Sequence, residues 1–280
     1  MEMELIYIII LLLTGIGVGF AGGLLGIGGC FIMTPVQYWI LTAMGIEPGM
    51  AILIAFGTNL AVVLPTAVSS TYGHNKKGLV IWNVAIGLGL SGLAGAVIGA
   101  YIATYIASLG YGKALQILFG LIIIASAVRM LTAKPIKTEQ DIVDTPAILI
   151  AWGLPLGILC GIIGIGGGVV LIPVMVLALH LKMHQAIGTS TTMMIFTATG
   201  GVISYIINGL GVAGLPPYSL GYVNILQWTL LAGTSVPIAQ LGVKAAHKLP
   251  AKELKYIFIA VMIYMGLKMV GVFSWLNLPL

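Results

Sequence analysis

Charge is nearly missing from this chain. Only 7% of its 280 residues are Asp, Glu, Lys or Arg, against about 25% in soluble domains, while 60% are hydrophobic and the mean hydropathy is +1.14. So much apolar surface needs lipid, and the sequence predicts an all-α polytopic membrane protein. Carboxylates are the scarcest charge. Glu2, Glu4, Glu47, Glu139, Asp141, Asp144 and Glu253 all fall near segment ends or in loops. None is placed at mid-membrane to relay a proton or hold a sodium ion. Cysteine is scarce too: Cys30 and Cys160 both sit in apolar, Gly-rich stretches, which argues against a disulfide framework, and no metal-ligand spacing exists. No Ser/His/Asp or Cys/His arrangement is placed for nucleophilic catalysis, and no cofactor motif is present, so the expectation is no enzyme and no cofactor. Net charge is +5, with the basic residues in loops and at helix ends. That is a topology signal rather than a nucleic-acid patch. The acidic start MEME and the long apolar run after it predict a first segment that is retained rather than cleaved.

Glycine, by contrast, is abundant, with 39 residues, and its placement repeats. Residues 15–35 (GIGVGFAGGLLGIGGCFIMTP) and 153–173 (GLPLGILCGIIGIGGGVVLIP) align at a constant offset of 138, which brings Gly15, Gly19, Gly23, Gly26, Gly28, Gly29 and Pro35 onto Gly153, Gly157, Gly161, Gly164, Gly166, Gly167 and Pro173. Further on, Gly57-Thr58-Asn59 answers Gly188-Thr189-Ser190. A repeat this long in an apolar chain predicts two homologous membrane halves with a site between them.

Charges and Gly/Pro clusters divide each half into five hydrophobic segments, near 5–25, 30–45, 50–72, 80–107 and 114–132, then 147–163, 168–181, 186–207, 220–245 and 253–275. The domain organisation that follows is a first transmembrane repeat over 1–132, a cytoplasmic linker over 133–146 (AKPIKTEQDIVDTP) and a second repeat over 147–280. An odd number of segments per half turns one half over relative to the other. With the N-terminus outside, Lys76, Lys77, Arg129, Lys134, Lys137, Lys182, Lys244, Lys248, Lys252 and Lys255 all fall inside, and only Lys113 and Lys268 sit near the other face. His74, His180 and His184, beside lysines, read as interfacial.

Gly17-Val18-Gly19-Phe20-Ala21-Gly22 matches the dinucleotide fingerprint, but lacks the strand, the βαβ unit and the acidic residue that give the motif meaning. Gly15, Gly19 and Gly23, like Gly153, Gly157 and Gly161, recur at the four-residue spacing of close helix packing in lipid. The tighter clusters GIGGC (26–30) and GIGGG (164–168) are poor helix and break their segments. Broken backbone at membrane depth survives only where protein or an aqueous cavity satisfies it. Each short segment then begins at the break, and its free N–H groups with the positive dipole end form an anion site. The expectation is a pair of Gly-rich broken or re-entrant hairpins whose tips meet near the midplane of two inverted repeats.

The candidate substrate-binding residues are therefore Gly26, Gly28, Gly29 and Cys30 at one break and Gly164, Gly166, Gly167 and Gly168 at the other. Thr58, Asn59, Thr189 and Ser190 stand at matching places in the third segments, and Gln240 follows a possible kink at Pro237; their side chains can donate to oxyanion oxygens. The competing use of Ser and Thr in such helices is a bond back to the carbonyl a turn earlier. No metal site is expected.

The paired GxxGxxGxGG…P hairpins, the Ala-Ile-x-x-Thr-Ser-like element after each and the basic loops resemble the sulfite exporter TauE/SafE family, over about residues 5–272. The resemblance implies a secondary transporter that exports or imports small sulfur-containing anions, such as sulfite or organosulfonates, across the cytoplasmic membrane, with lipids and the anion as its partners. A small-anion channel, or a transporter of small carboxylates on the same scaffold, is the alternative. Cys30 departs from the repeat, standing where the second copy has Gly168, and narrows the first loop.

Overall fold

The computed structural model describes residues 5–25, 28–132, 141–245 and 251–272. Among the described residues ten α-helices follow one another: α1 (Leu5–Leu25), α2 (Cys30–Ala43), α3 (Pro48–Asn75), α4 (Trp82–Ile106), α5 (Gly112–Thr132), α6 (Pro146–Ile162), α7 (Gly168–Leu177), α8 (Met183–Gly209), α9 (Ile225–Ala245) and α10 (Ala251–Val270). Each coincides with one apolar segment of the sequence, five per half, and the protein is an all-α polytopic membrane protein. Four continuous helical stretches, Leu5–Leu24, Pro48–Asn75, Trp82–Thr132 and Met183–Gly209, are long and apolar enough to cross a membrane. The third runs through a kink between α4 and α5, where Gly110 adopts φ 84°.

Two differences from the sequence expectation concern segment ends. The ninth segment was expected from residue 220, but α9 starts at Ile225, because Pro216, Pro217 and Gly221 favour turns and Ser219–Leu220 pairs with Val223–Asn224 as a minimal antiparallel hairpin. Asn224 then caps the helix, accepting from the Gln227 N–H at 3.0 Å. His74, expected at the interface, is buried, 2% exposed, at the C-terminal end of α3, where Gly188 of α8 comes close. Of the linker 133–146, residues 133–140 lie outside the described residues, and α6 begins at Pro146.

Packing follows the glycines. Along α1, a Cβ on Gly15, Gly19 or Gly23 would strike Leu231, Ser235 or Ala239 of α9. In the other half, a Cβ on Gly153, Gly157 or Gly161 would strike Leu88, Gly92 or Ala96 of α4. Both seams are parallel, and each joins a helix of one half to a helix of the other. Small residues at four-residue spacing allow this backbone-to-backbone approach, which replaces the hydrophobic drive that lipid cannot supply.

The matching third helices behave differently. Gly57 faces Tyr205, Leu60 faces Gly201, Thr71 bonds Thr191 and His74 faces Gly188, so α3 and α8 run antiparallel. The matching fifth helices, α5 and α10, are antiparallel as well, Gly120 meeting Gly266 and Gln116 reaching the Met269 carbonyl. Equivalent helices pack antiparallel and the α1–α9 seam has its counterpart in α6–α4, the packing that turning one half over on the other would produce.

Candidate functional site

The two glycine clusters interrupt their helices where the sequence places the breaks. α2 starts after Gly29 (φ 64°, ψ 9°) and α7 after Gly167 (φ 107°, ψ −20°), and neither helix has a side-chain cap. Gly28 (φ 73°) and Gly164 (φ 58°) are left-handed too. These values suit glycine and strain any other residue. At 1.5 Å per residue, α2 with 14 residues is about 21 Å long and α7 with 10 about 15 Å, well short of the ~30 Å apolar core. Both are half-helices.

The tips touch. The Gly166 N–H donates to Cys30 Sγ at 3.4 Å, and the Cys30 thiol donates to the Gly28 carbonyl at 3.6 Å. Asn59 of α3 clamps the pair: its Nδ2 donates to Thr34 Oγ1 of α2 at 3.1 Å and to the Gly164 carbonyl at 2.5 Å. Asn59 Oδ1 is left buried with no hydrogen-bond partner among the described residues. On the other side Thr197 of α8 donates to the Gly166 carbonyl at 3.1 Å, and Met194 lies against Gly28 as Val63 of α3 lies against Gly166. Cys30, Thr34, Asn59 and Thr197 are all fully buried. The tips rest against residues 59–63 and 194–197, the middles of the two long central helices.

The structure thus brings together Gly28, Gly29, Cys30, Asn59, Gly164, Gly166, Gly167 and Gly168. Gly26 lies outside the described residues. Ser190, one turn before Met194 on the same face of α8, sends its hydroxyl to the Ile187 carbonyl at 2.9 Å, the local bond that competes for such residues. Thr58 and Thr189 meet other elements. Thr58 Oγ1 accepts from the Asn224 N–H, just before α9, at 2.9 Å; Thr189 Oγ1 accepts from the Ile81 N–H, just before α4, at 3.1 Å. Each seats the first turn of a helix from the opposite half. Gln240 ties α9 to α3 through the carbonyl and hydroxyl of Ser69.

Thr34, Thr197 and Met194 were not singled out by sequence. Thr34 precedes the repeated Pro35, and its second-half counterpart is Ile172, so the repeat hid it. Thr197 had the signal of a matching Thr66, whose hydroxyl pairs with Ser235 at 2.9 Å.

Chemically, the meeting point is a buried junction of two helix N-termini lined by uncharged side chains. In the first turns Ile32 and Met33 N–H donate to the Gly29 carbonyl, and Val170 and Leu171 N–H to the Gly167 carbonyl, and both dipoles direct positive ends to the junction. No Asp, Glu, Lys or Arg is buried among the described residues. Nor is there a group of three or more His, Cys, Asp or Glu side chains that would hold a metal.

A family model described as Sulfite exporter TauE/SafE matches residues 11–269. A probable membrane transporter protein of Methanocaldococcus jannaschii is 31% identical over 272 residues, covering 96% of this chain and 98% of the relative. One of Haemophilus influenzae is 28% identical over 267 residues, covering 94% and 98%. The Bacillus subtilis protein YunE, also a probable membrane transporter, is 27% identical over 286 residues, covering 95% and 99%. No solved structure matches the chain. The match over nearly its whole length makes this chain a member of the TauE/SafE sulfite exporter family, a multi-pass membrane transporter.

Proposed function

We propose that the protein moves small oxyanions of sulfur, sulfite or organosulfonates, across the cytoplasmic membrane by alternating access at the junction of the two glycine tips. The observation that carries the proposal is the contact between Cys30 of one tip and Gly166 of the other, which sets two uncapped helix N-termini face to face with no acidic side chain beside them. Helix N-termini bind oxyanions through free amides and the dipole, so no cationic side chain is needed. The substrate class beyond "small anion" comes from the family. The full burial of Cys30, Thr34, Asn59 and Thr197 favours a carrier that opens to one side at a time over a standing anion channel. The antiparallel pairing of α3 with α8 and of α5 with α10, together with the lysine distribution, supports a two-fold axis in the membrane plane, termini outside.

With no carboxylate buried among the described residues to bind a driving cation, export is driven largely by the membrane potential. One charge crossing 100 mV is worth ~2.3 kcal/mol, so a dianion leaving a negative interior gains roughly twice that. At ~1.4 kcal/mol per tenfold, this sustains a gradient of about a thousandfold. The test is anion efflux from proteoliposomes with a potassium/valinomycin potential, comparing sulfite, sulfate, thiosulfate, a sulfonate and acetate. Saturable, potential-dependent sulfite or sulfonate flux is expected. Flux of acetate alone would reassign the substrate to carboxylates, and flux of none would refute the proposal.

A further inference from the structure

Two buried carboxamides make no side-chain hydrogen bond to the described residues. Gln37 on α2 and Gln227 on α9 are both fully buried, and neither the oxygen nor the nitrogen of either side chain has a hydrogen-bond partner among the described residues. Burying an amide unpaired is unfavourable, and proteins rarely do so without a ligand or function to meet it.

Registers along the helices locate the pair. α3 and α9 run parallel: Thr58 bonds Asn224, and the Trp228 indole donates to the Ala61 carbonyl. Gln227, just before Trp228, therefore lies at the level of Asn59. α2 and α3 run antiparallel, Thr34 meeting Asn59. Gln37 follows Thr34 by one helical turn on the same face, toward the turn at Gly45 that joins α2 to α3. By register, Asn59 Oδ1 and Gln227 lie at the level of the tip junction and Gln37 about one turn further toward the α2–α3 turn, all with unpaired polar atoms.

The arrangement exists on one side only. The offset of 138 between the hairpins puts Met175 at the place of Gln37. Leu231 against Gly15 corresponds to Leu88 against Gly153, so Gln227, four positions before Leu231, corresponds to Val84, four before Leu88. Met175 and Val84 are fully buried and apolar. A structural requirement of the repeated scaffold would appear in both halves; this feature breaks the symmetry.

We propose that Gln37 and Gln227 form a second oxyanion station, whose amide N–H groups receive the substrate from the glycine tips on the α2–α3 side of the junction. This rests on the transport function proposed above and adds to it residues that set the path and select for acceptor-rich anions. A carboxamide is suited to such a stop, because it donates without the charge that would trap the ion.

The test replaces each residue by its counterpart, Gln37→Met with Gln227→Val, in the full chain reconstituted in proteoliposomes. The double variant is expected to melt at or above the wild-type temperature, since unpaired polar groups are removed, and to keep the upward melting shift given by sulfite at the tips. Its sulfite flux should fall about tenfold or more, the effect of losing one hydrogen bond to a charged group. Gln37→Glu, which keeps shape and polarity but repels an anion, should also lose flux. Wild-type flux in the double variant would overturn the station. So would failure of that variant to insert, which would make the carboxamides structural. If the wild type moves no anion, the function proposed above fails first, and this inference falls with it.

Discussion

Replacing Gly167 by Ala isolates the tip geometry. The residue holds φ 107° and ψ −20°, outside the basins of L-residues, and such strain costs about 1–3 kcal/mol. The new Cβ would also fall 2.8 Å from both Cys160 Sγ and Leu171 Cδ1. These neighbours are 2% and 0% exposed, so they have little room to withdraw, and overpacking of this kind adds about 1–3 kcal/mol. A combined penalty of ~3 kcal/mol lowers the population of the native tip by about a hundredfold, at ~1.4 kcal/mol per tenfold. The strain is local to the α6–α7 hairpin, and the glycine seams along α1 and α6 are untouched, so the protein should still insert. Flux per reconstituted molecule is expected to fall to roughly a hundredth of wild type on the same arithmetic. Gly17→Ala is the control. An added Cβ there meets nothing within 4 Å, and the change removes up to ~1 kcal/mol of helix penalty, so transport should be unaffected. Wild-type flux from a folded Gly167→Ala protein would refute the reasoning and leave the tips as mere turns.

Two further outcomes follow from the packing. Single cysteines replacing Glu47, the α3 cap, and Lys77, beyond its far end, should be labelled by an impermeant thiol reagent from outside and inside respectively; labelling of both from one side would refute the inverted arrangement. Native Cys30, fully buried and bonded to Gly166, should react with a small alkylating agent only as the tips separate, and sulfite should slow the reaction; alkylation at a rate indifferent to sulfite would remove Cys30 from the path.

Much of this architecture was legible because glycine leaves marks that survive in sequence. The seams are visible as four-residue spacings, and the breaks as clusters no helix accommodates. Repetition confirmed both, since two halves under the same packing rules keep the same glycines. Repetition also guided the choice of hydroxyls. Thr58 and Thr189 match across the halves, and in the structure each seats a helix start, α9 or α4. Conversely Thr34, Gln37 and Gln227 have apolar counterparts in Ile172, Met175 and Val84, so comparing the halves concealed them. Their significance depends on which buried polar atoms lack partners, and only three-dimensional packing decides that.

The crossed seams also constrain how the chain can be made and moved. Because α1 lies along α9 and α6 along α4, neither half can complete its own packing. The first helix to enter the bilayer exposes its glycine stripe to lipid until the ninth arrives, Gly15 waiting for Leu231, so assembly is a late event among helices already inserted. In a working cycle the same interlock forbids parting the protein between its two repeats. Whatever rocks must be a body of mixed parentage, α1 with α9 against α4 with α6, and the hairpin tips lie on the boundary between those bodies.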